Sequence, residues 1–410
     1  MSPNERNILS VTCFGHFMAH FNMLMFPALV LPLTDLFGME LSQVLALSFW
    51  MYLLFGITAL PWGLASDAFG AKPLLFLFYL GNGLCGLAAA FFMNSPQIFS
   101  LCLAGVGLFS GIYHPAGLGL ISRGITRMSM ALGYNGMAGN AGLAAAPFFT
   151  GVVNHLFGSQ AAYLFLGFMN LAGAGLMFFV PATEPPKKQE IQSHAPVNLL
   201  KGFLVLCLCM MLSGIAYRGA SVILPSYFEL RNQALFEWLS HLDWFPSSRN
   251  VAATTLTSLV YLVGILGQYM GGRFAERFEP RRGYLIFHSL AMPMALIMAY
   301  ATDIPLLLVT MGYMLFLLGM QPIENTLVAL LTPDKLRHSA YGTKFILTFG
   351  VGALSVHMVG WIKNAWSLPA VFVAMAAVSL GIVLSILALF YVTRGVRFDR
   401  YAGRKGSRLP

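Results

Sequence analysis

Long apolar stretches alternate with short polar segments along the whole chain. A helix that crosses a hydrocarbon core of about 30 Å needs about 20 residues, most of them apolar. The pattern predicts twelve such spans, of which the ninth is short and contains Pro293. In chain order the predicted spans, numbered 1 to 12, are 8–33, 44–65, 73–93, 98–121, 131–153, 160–181, 201–225, 251–271, 284–301, 305–331, 342–362 and 368–392. The pattern therefore predicts an all-α membrane protein.

One polar pattern occurs twice, in the segments that follow spans 2 and 8. Each copy has a glycine, a carboxylate four residues later, a phenylalanine and then a base, and the two copies lie 209 residues apart. Such a repeat predicts two pseudo-symmetric six-helix halves with a substrate site between them. The first copy contains Gly63, Asp67, Gly70 and Lys72, and the second contains Gly272, Glu276 and Arg281.

The chain divides into two halves and two polar segments. We predict an N-terminal six-helix half over 1–183, a cytoplasmic linker over 184–200, a C-terminal six-helix half over 201–392 and a basic cytoplasmic tail over 393–410. The prolines and charges of the linker cannot bury enough apolar area to form a domain, so we expect a flexible connector. The outside segment 226–250 is predicted to carry a short interfacial helix, with packing and gating as alternative roles.

Composition and charge agree with a membrane protein. The chain is 58% hydrophobic and 10% charged, with a mean hydropathy of +0.73, whereas soluble domains are about 25% charged. If both termini are cytoplasmic, the inside segments hold 19 of the 24 lysines and arginines, which fits because short cytoplasmic loops are rich in these residues. The net charge of +9 therefore indicates membrane topology and not nucleic-acid binding.

The sequence carries no motif of an enzyme or of a cofactor site. It contains no glycine-rich phosphate loop, no acidic metal cluster and no serine nucleophile motif. Its five cysteines lie inside apolar stretches without ligand spacing, so they predict neither a disulfide framework nor a metal site. We therefore expect no enzyme activity and no cofactor.

Ionisable side chains inside the spans are costly in hydrocarbon, so each is a candidate for function. Only a few are present, and polar neighbours accompany several of them. Asn135, Asn140 and Gln268 are further polar candidates, although such groups also join helices to one another. The main candidates for substrate binding or coupling are His16, His20, Tyr113, His114, Tyr217, Arg218, Gln321, Glu324, Asn325 and Lys344.

Arg218 and Glu324 carry the two main hypotheses. Arg218 lies in the outer half of span 7, where its charge requires an anion or a carboxylate partner. It either binds a carboxylate or phosphonate through bidentate hydrogen bonds, forms a structural ion pair, or extends to the outer surface. Glu324 lies deep within an apolar stretch. In one hypothesis Glu324 carries a coupling proton or contacts the substrate. In the other it forms a structural hydrogen bond to Asn325 or to a base on another span.

The histidines and Lys344 have their own alternatives. His114 either exchanges a proton or is a buried, hydrogen-bonded side chain. His16 and His20 have the i, i+4 spacing of a paired metal site, but no carboxylate or cysteine shares their face, so no metal site is predicted. Lys344 is close enough to the cytoplasmic end of span 11 to extend to the surface.

The two halves and their repeated loops resemble the major facilitator superfamily over nearly the whole chain. The first loop fits that family's signature between spans 2 and 3, and the second fits its weaker copy, with Glu279 where glycine is usual. The resemblance implies that spans 1, 4, 7 and 10 line a central cavity between the halves. It also implies that the loops form a conformational latch, the alternative being that they only mark topology.

A narrower resemblance lies in the N-terminal half. Phe14-Gly15-His16-Phe17 and Tyr113-His114-Pro115 look like the fosmidomycin-resistance type of facilitator, although Ala116 stands where that group carries an acidic residue. This resemblance implies a drug exporter driven by proton entry. Arg218 and Lys344 fit a carrier of an anionic metabolite equally well.

The function predicted from the sequence is therefore secondary active transport. We expect a small anionic organic solute to cross by alternating access, coupled to protons or to another ion. The alternatives are a proton-driven drug efflux pump and a sensor or scaffold that transports nothing. The expected setting is a bacterial inner membrane, with the lipid bilayer as partner, both termini cytoplasmic and a monomer as the functional unit.

Overall fold

The computed structural model describes residues 1–181, 197–243, 246–332 and 337–394, and within these ranges it contains helices and no strands. Residues 184–196 of the predicted linker and 395–410 of the predicted tail lie outside the described residues. The α-helices are α1 Pro3–Phe37, α2 Leu41–Ala46, α3 Phe49–Ile57, α4 Ala59–Phe69, α5 Ala71–Phe91, α6 Pro96–Ser110, α7 Tyr113–Gly124, α8 Met128–Phe179, α9 Val197–Arg231, α10 Gln233–Ser240, α11 Arg249–Arg277, α12 Pro280–Tyr300, α13 Asp303–Leu331, α14 Arg337–Phe345, α15 Ser355–Ala365 and α16 Ala370–Val392.

These helices account for all twelve predicted spans. Ten of the helical segments in the described residues are long and apolar enough to cross a membrane, and the pair Leu41–Ile57 and Ala59–Phe69, bent by 46°, forms an eleventh. Helix α8 contains two spans, because Gly158 has φ 84° and ψ 168° and interrupts its helical geometry. A left-handed φ of this kind is accessible mainly to glycine. The predicted all-α architecture with twelve spans is confirmed.

Local signals set several helix ends. Ser2 and Glu5 form a capping box at the start of α1, in which the Ser2 hydroxyl accepts from the Glu5 amide at 3.2 Å and the Glu5 carboxylate accepts from the Ser2 amide at 2.7 Å. Gly38 ends α1 in the left-handed conformation. Pro293 lies inside α12 without ending it, so the short ninth span is a continuous helix.

Span 11 has an irregular middle. After α14 the chain makes a π-helical turn over Ile346–Gly350 and a 3₁₀ turn over Val351–Leu354 before α15 begins. Turns of the π type inside α-helices are frequent at functional sites. This irregular segment packs against α3 of the first half and α9 of the second, so it lies where the two halves meet.

The two halves pack most closely at small residues. Gly56 of α3 faces the backbone of Gly350, so a side chain at position 56 would collide with main-chain atoms. Gly151 of α8 faces the side chain of Thr254 on α11, so a side chain at position 151 would collide with that threonine. Helices α8 and α11, which carry Gly151 and Thr254, pack along each other across the interface between the halves. Small residues at these positions allow the helices to approach closely.

Two glycines of span 5, Gly139 and Gly142, pack within the N-terminal half and not between the halves. Their regular spacing predicts close packing between the halves. Instead, Gly139 faces the imidazole of His16 and Gly142 faces the backbone of Phe17, both on α1 of the same half. The expectation is therefore wrong for these two glycines, because their face of α8 packs on α1.

The outside segment 226–250 contains the predicted short helix. Helix α9 continues to Arg231, and α10 follows as Gln233–Ser240. The Leu235 amide donates to the Asp303 carboxylate at 2.9 Å, which joins α10 to the start of α13. Phe236 is buried, whereas Trp238 is 60% exposed. Packing therefore fixes one face of α10, and a gating role for the segment stays a prediction.

Candidate functional site

Three histidines from two helices form the first cluster of polar groups. His16 and His20 lie on α1, and His114 lies on α7. The His16 and His20 ring centroids are 4.8 Å apart, and the His114 centroid lies 5.3 Å from His16 and 5.6 Å from His20. The Nε2 atoms of His16 and His20 are 3.1 Å apart. The sequence placed the three residues in spans 1 and 4, and the structure brings them together.

Hydrogen bonds from α8 and α7 orient this histidine cluster. The Nδ1 atom of His16 lies 2.8 Å from the backbone carbonyl of Asn135. The Asn135 amide donates to the Tyr113 hydroxyl at 2.7 Å, and that hydroxyl donates to the Thr12 carbonyl at 2.7 Å. The Tyr113 ring stacks on His16 with centroids 5.0 Å apart. Tyr113 is therefore held by the protein and supports His16 from one side.

His114 links the histidine cluster to the other half of the protein. Its ring stacks on Phe345 of α14 with centroids 4.8 Å apart and planes 16° apart, and Phe349 of the π turn lies 5.9 Å away. His114 is buried, and its Nε2 atom has no hydrogen-bond partner among the described residues. A movement of span 11 would therefore change the ring contacts of His114 directly.

Arg218 lies inside the protein, on α9, and is only 3% exposed. Its guanidinium carbon lies 3.7 Å from the centroid of the Tyr52 ring and 5.8 Å from that of Tyr217. Its Nε and Nη1 atoms have no hydrogen-bond partner, and no carboxylate of the described residues lies within ion-pair distance. Burial of an uncompensated charge is costly. Neither an ion pair nor an exposed head group accounts for Arg218 in this structure.

A buried tyrosine of the second half lies within electrostatic range of the Arg218 guanidinium. Tyr261 of α11 is close enough to interact electrostatically with Arg218, Tyr52 and Tyr313. The hydroxyls of Tyr261 and Tyr313 are buried without a hydrogen-bond partner among the described residues. The Arg218 guanidinium and the Tyr261 and Tyr313 hydroxyls are therefore buried donors without a hydrogen-bond partner among the described residues. Sequence reasoning missed Tyr52, Tyr261 and Tyr313, because single tyrosines in apolar stretches resemble ordinary core residues.

Glu324 and Lys344 form a second cluster nearer the predicted cytoplasmic side. The Lys344 ammonium lies 2.9 Å from the Glu324 carboxylate, and the two residues are 7% and 1% exposed. The Tyr284 hydroxyl donates to the other Glu324 oxygen at 2.6 Å, and Lys344 donates to the Asn325 side-chain oxygen at 2.5 Å. The expectation that Lys344 extends to the surface is wrong. Lys344 lies seven residues beyond the start of α14, which is about 10 Å of helix, and its charge is compensated internally.

A further histidine borders the Glu324–Lys344 pair. His288 of α12 packs edge-on against the Tyr284 ring with centroids 4.7 Å apart. It is buried, and its Nε2 atom has no hydrogen-bond partner among the described residues. The sequence offered no signal for His288, since a lone histidine in an apolar stretch has no partner spacing.

A chain of amides joins the two halves beside the ion pair. The Asn140 amide donates to the Gln268 side-chain oxygen at 2.5 Å, and the Gln268 amide donates to the Gln321 oxygen at 3.0 Å. Gln321 is three residues before Glu324 and so lies about one turn away on α13. These three side chains couple span 5 to the helix that carries the buried carboxylate.

In the first repeated loop one ion pair joins the end of α4 to the end of α7, and a latch role stays a prediction. The Asp67 carboxylate lies 3.6 Å from the Arg123 guanidinium at the end of α7. Gly70 ends α4 with φ 89°, a conformation that favours glycine, and Lys72 follows in the first turn of α5. Gly63 packs against Pro115, whose Cβ would lie 3.4 Å from the Cβ of any side chain at position 63.

The second repeated loop differs from the first in its turn and its ion pairs. Glu279 has φ −62°, so this turn has no need of a glycine. Its carboxylate pairs with Arg281 and, at 3.1 Å, with Arg282. Glu276 lies 4.0 Å from Arg273 on the same exposed helix face. Among the described residues, nothing lies within 4 Å of where a side chain at position 272 would begin.

Comparisons with known proteins agree with this architecture. A sequence model of the Major Facilitator Superfamily matches residues 12–239. A bacterial homolog of the human lysosomal transporter Spinster, solved in an inward-facing and unoccupied conformation, superposes with a TM-score of 0.73 over 96% of this chain and 98% of that chain, at 14% sequence identity. The inward-facing and occupied structure gives a TM-score of 0.67 over the same shares at 15% identity. At these identities the likeness shows the fold alone.

One characterised relative is similar over a shorter stretch. The multidrug efflux pump Tap of Mycolicibacterium fortuitum is 25% identical over 182 residues, which are 44% of this chain and 40% of the pump. The chain thus matches less than half of the length of that relative.

Proposed function

Because this chain belongs to the Major Facilitator Superfamily, whose members are carriers and not enzymes, we propose that it moves a small anionic organic solute by alternating access coupled to protons. Its fold is that of a multi-pass membrane transporter. The observation that carries the anionic substrate is the Arg218 guanidinium, which is buried and unpaired among the described residues.

Arg218 supports an anion by its charge and by its surroundings. A buried guanidinium without a carboxylate partner is stabilised when an anion enters, because planar N–H groups bind carboxylate or phosphonate oxygens in pairs. The Tyr52 ring beneath it holds the guanidinium plane in place through a cation–π contact. The Tyr261 hydroxyl, which is close enough to interact electrostatically with Arg218, offers an additional donor to the same ligand.

The Glu324–Lys344 pair supports proton coupling. A proton on Glu324 neutralises the carboxylate and leaves the buried Lys344 charge without compensation, which disfavours the paired conformation. Lys344 adjoins Phe345, the residue that stacks on His114 of the other half. Protonation at one side chain is thereby linked to the contact between the halves, which is the element that alternating access has to change.

The second candidate function is drug efflux driven by proton entry. The partial similarity to the efflux pump Tap favours it. An exporter of cationic drugs would have no use for an unpaired Arg218, so the requirement for this residue separates the two functions.

Substrate-triggered proton movement in proteoliposomes tests the proposal. The protein is reconstituted with an internal pH dye and offered carboxylates, phosphonates and cationic drugs, as wild type, Glu324→Gln and Arg218→Ala. We expect proton flux with an anion and its loss in both variants. Lys201→Ala, an exposed base on the same helix as Arg218, and Glu237→Gln, an exposed carboxylate on α10, serve as matched controls. Flux with cationic drugs that survives Arg218→Ala would favour the exporter.

A further inference from the structure

We propose that His16, His20 and His114 form a binding site for a divalent transition-metal ion, with an open coordination position. Each imidazole offers one ring nitrogen, and the three ligand atoms lie within 4.8 Å of one another. The proposal goes beyond transport of an anion, since it assigns a cation site to the same interior.

The helix spacing delivers two of the ligands. His16 and His20 are four residues apart on α1, so their side chains share one face. Pairs of histidines at this spacing are common metal ligands. The third histidine comes from α7, next to Pro115, and the sequence spacing alone could not reveal that it joins the other two.

A hydrogen bond to the backbone of α8 orients His16 as such a bond orients metal-binding histidines. The Asn135 carbonyl accepts from Nδ1 of His16, so Nε2 carries the free lone pair and points to His20. Metal-bound imidazoles typically donate their other N–H to a carbonyl or carboxylate in this way. Asn135 is itself held by Tyr113. The protein thus fixes the tautomer and the direction of the donor nitrogen.

The distances are close to those of a chelate. With metal–nitrogen bonds of about 2.0–2.1 Å in tetrahedral geometry, two ligand nitrogens lie about 3.3–3.4 Å apart. The His16 and His20 Nε2 atoms are 3.1 Å apart. A histidine–histidine hydrogen bond gives a similar separation, but it leaves the buried His114 Nε2 without a partner. Binding of a metal requires the farthest nitrogens to approach by about 1.4 Å, a side-chain rotation within one cluster.

The ligand set and the nearby charge define which ion fits. Three imidazoles suit Zn²⁺, Co²⁺, Ni²⁺ or Cu²⁺, whereas Mg²⁺ and Ca²⁺ require oxygen ligands. Arg218 is close enough to act on His20 electrostatically. Its positive charge opposes a cation, so we expect micromolar affinity and not the tight binding of a structural zinc site. Three protein ligands leave the fourth position for water or for an anionic group.

Cobalt titration of the purified full-length protein, freed of any polyhistidine tag, tests the proposal. Tetrahedral Co²⁺ gives visible ligand-field bands, and Zn²⁺ should displace it while Mg²⁺ should not. We expect one ion per chain in the wild type. We expect at least tenfold weaker binding in His16→Gln, His20→Gln and His114→Gln. His288→Gln, which removes another buried histidine, is the matched control and should bind as the wild type does.

A thermal-unfolding series keeps the result interpretable if one variant folds poorly. Zn²⁺ should raise the unfolding temperature of the wild type and of His288→Gln, because a ligand that binds only the folded state stabilises it. It should not raise that of any folded His16, His20 or His114 variant. The proposal is overturned if the wild type binds no Co²⁺, or if all three variants bind it as tightly as the wild type.

Discussion

Breaking the Glu324–Lys344 pair from one side should destabilise the protein more than removing both charges. Either Glu324→Gln or Lys344→Met leaves one charged or polar group buried without its partner, because the residues are 1% and 7% exposed. Removal of one member of a buried ion pair costs about 3–5 kcal/mol. Replacement of both members by neutral side chains is often close to neutral, since no uncompensated charge remains.

The assay is a double-mutant cycle measured by chemical unfolding in mixed micelles. Wild type, both single variants and Glu324→Gln with Lys344→Met are compared under one condition. We expect each single variant to lose about 3 kcal/mol and the double variant to recover more than about 3 kcal/mol of the summed loss, so that it is more stable than either single variant. Tyr284→Phe removes only the hydrogen bond to the carboxylate and should cost about 1–3 kcal/mol.

Additivity would contradict this reasoning. If the double variant loses the sum of the two single losses to within about 0.5 kcal/mol, the two side chains do not interact energetically. Lys344 would then be stabilised by Asn325 and its other surroundings, and protonation of Glu324 would have no route to span 11.

Three other perturbations follow from the contacts between elements. Gly56→Val places a side chain against the Gly350 backbone and should lower both transport rate and unfolding temperature, whereas Gly136→Val, where space is open, should not. Gln268→Leu interrupts the amide chain between the halves and should cost about 1–3 kcal/mol of unfolding free energy. Asp67→Asn should change the unfolding free energy by under about 1 kcal/mol, since the Asp67 side chain is 61% exposed. It should lower the transport rate if the loop is a latch. An unchanged transport rate would instead indicate that the loop only marks topology.

The spans were predictable because they depend on composition over about 20 residues. Even the division of α8 at Gly158 followed from the hydropathy pattern, which separates spans 5 and 6 at that point. Helix ends in the membrane require polar or glycine-containing segments, and these are visible along the chain. The irregular turn at Ile346–Gly350 was not predictable, because its apolar residues are equally compatible with a regular helix.

The site was only partly predictable because its members come from distant parts of the sequence. Arg218 and Glu324 stand out by charge in an apolar context. Their neighbours Tyr52 and Tyr284 do not, since a tyrosine is common in protein interiors and at membrane interfaces. The hydropathy pattern begins span 11 at 342 and so predicts Lys344 near the surface, whereas α14 begins at Arg337, about two turns earlier than Lys344. The roles of Tyr52, Tyr284 and Lys344 depend on contacts between helices, which the pattern within a single helix does not show.

The central claim is tested most directly by solute counterflow in proteoliposomes, once an anionic substrate has been found. With equal pH on both sides, Glu324→Gln should still exchange labelled for unlabelled anion, because exchange needs binding and alternating access but no net proton movement. The same variant should fail to accumulate the anion when a pH gradient is imposed, and Arg218→Ala should fail in both assays. Gradient-driven accumulation that persists in Glu324→Gln, or exchange that persists in Arg218→Ala, would contradict the roles given to these two residues.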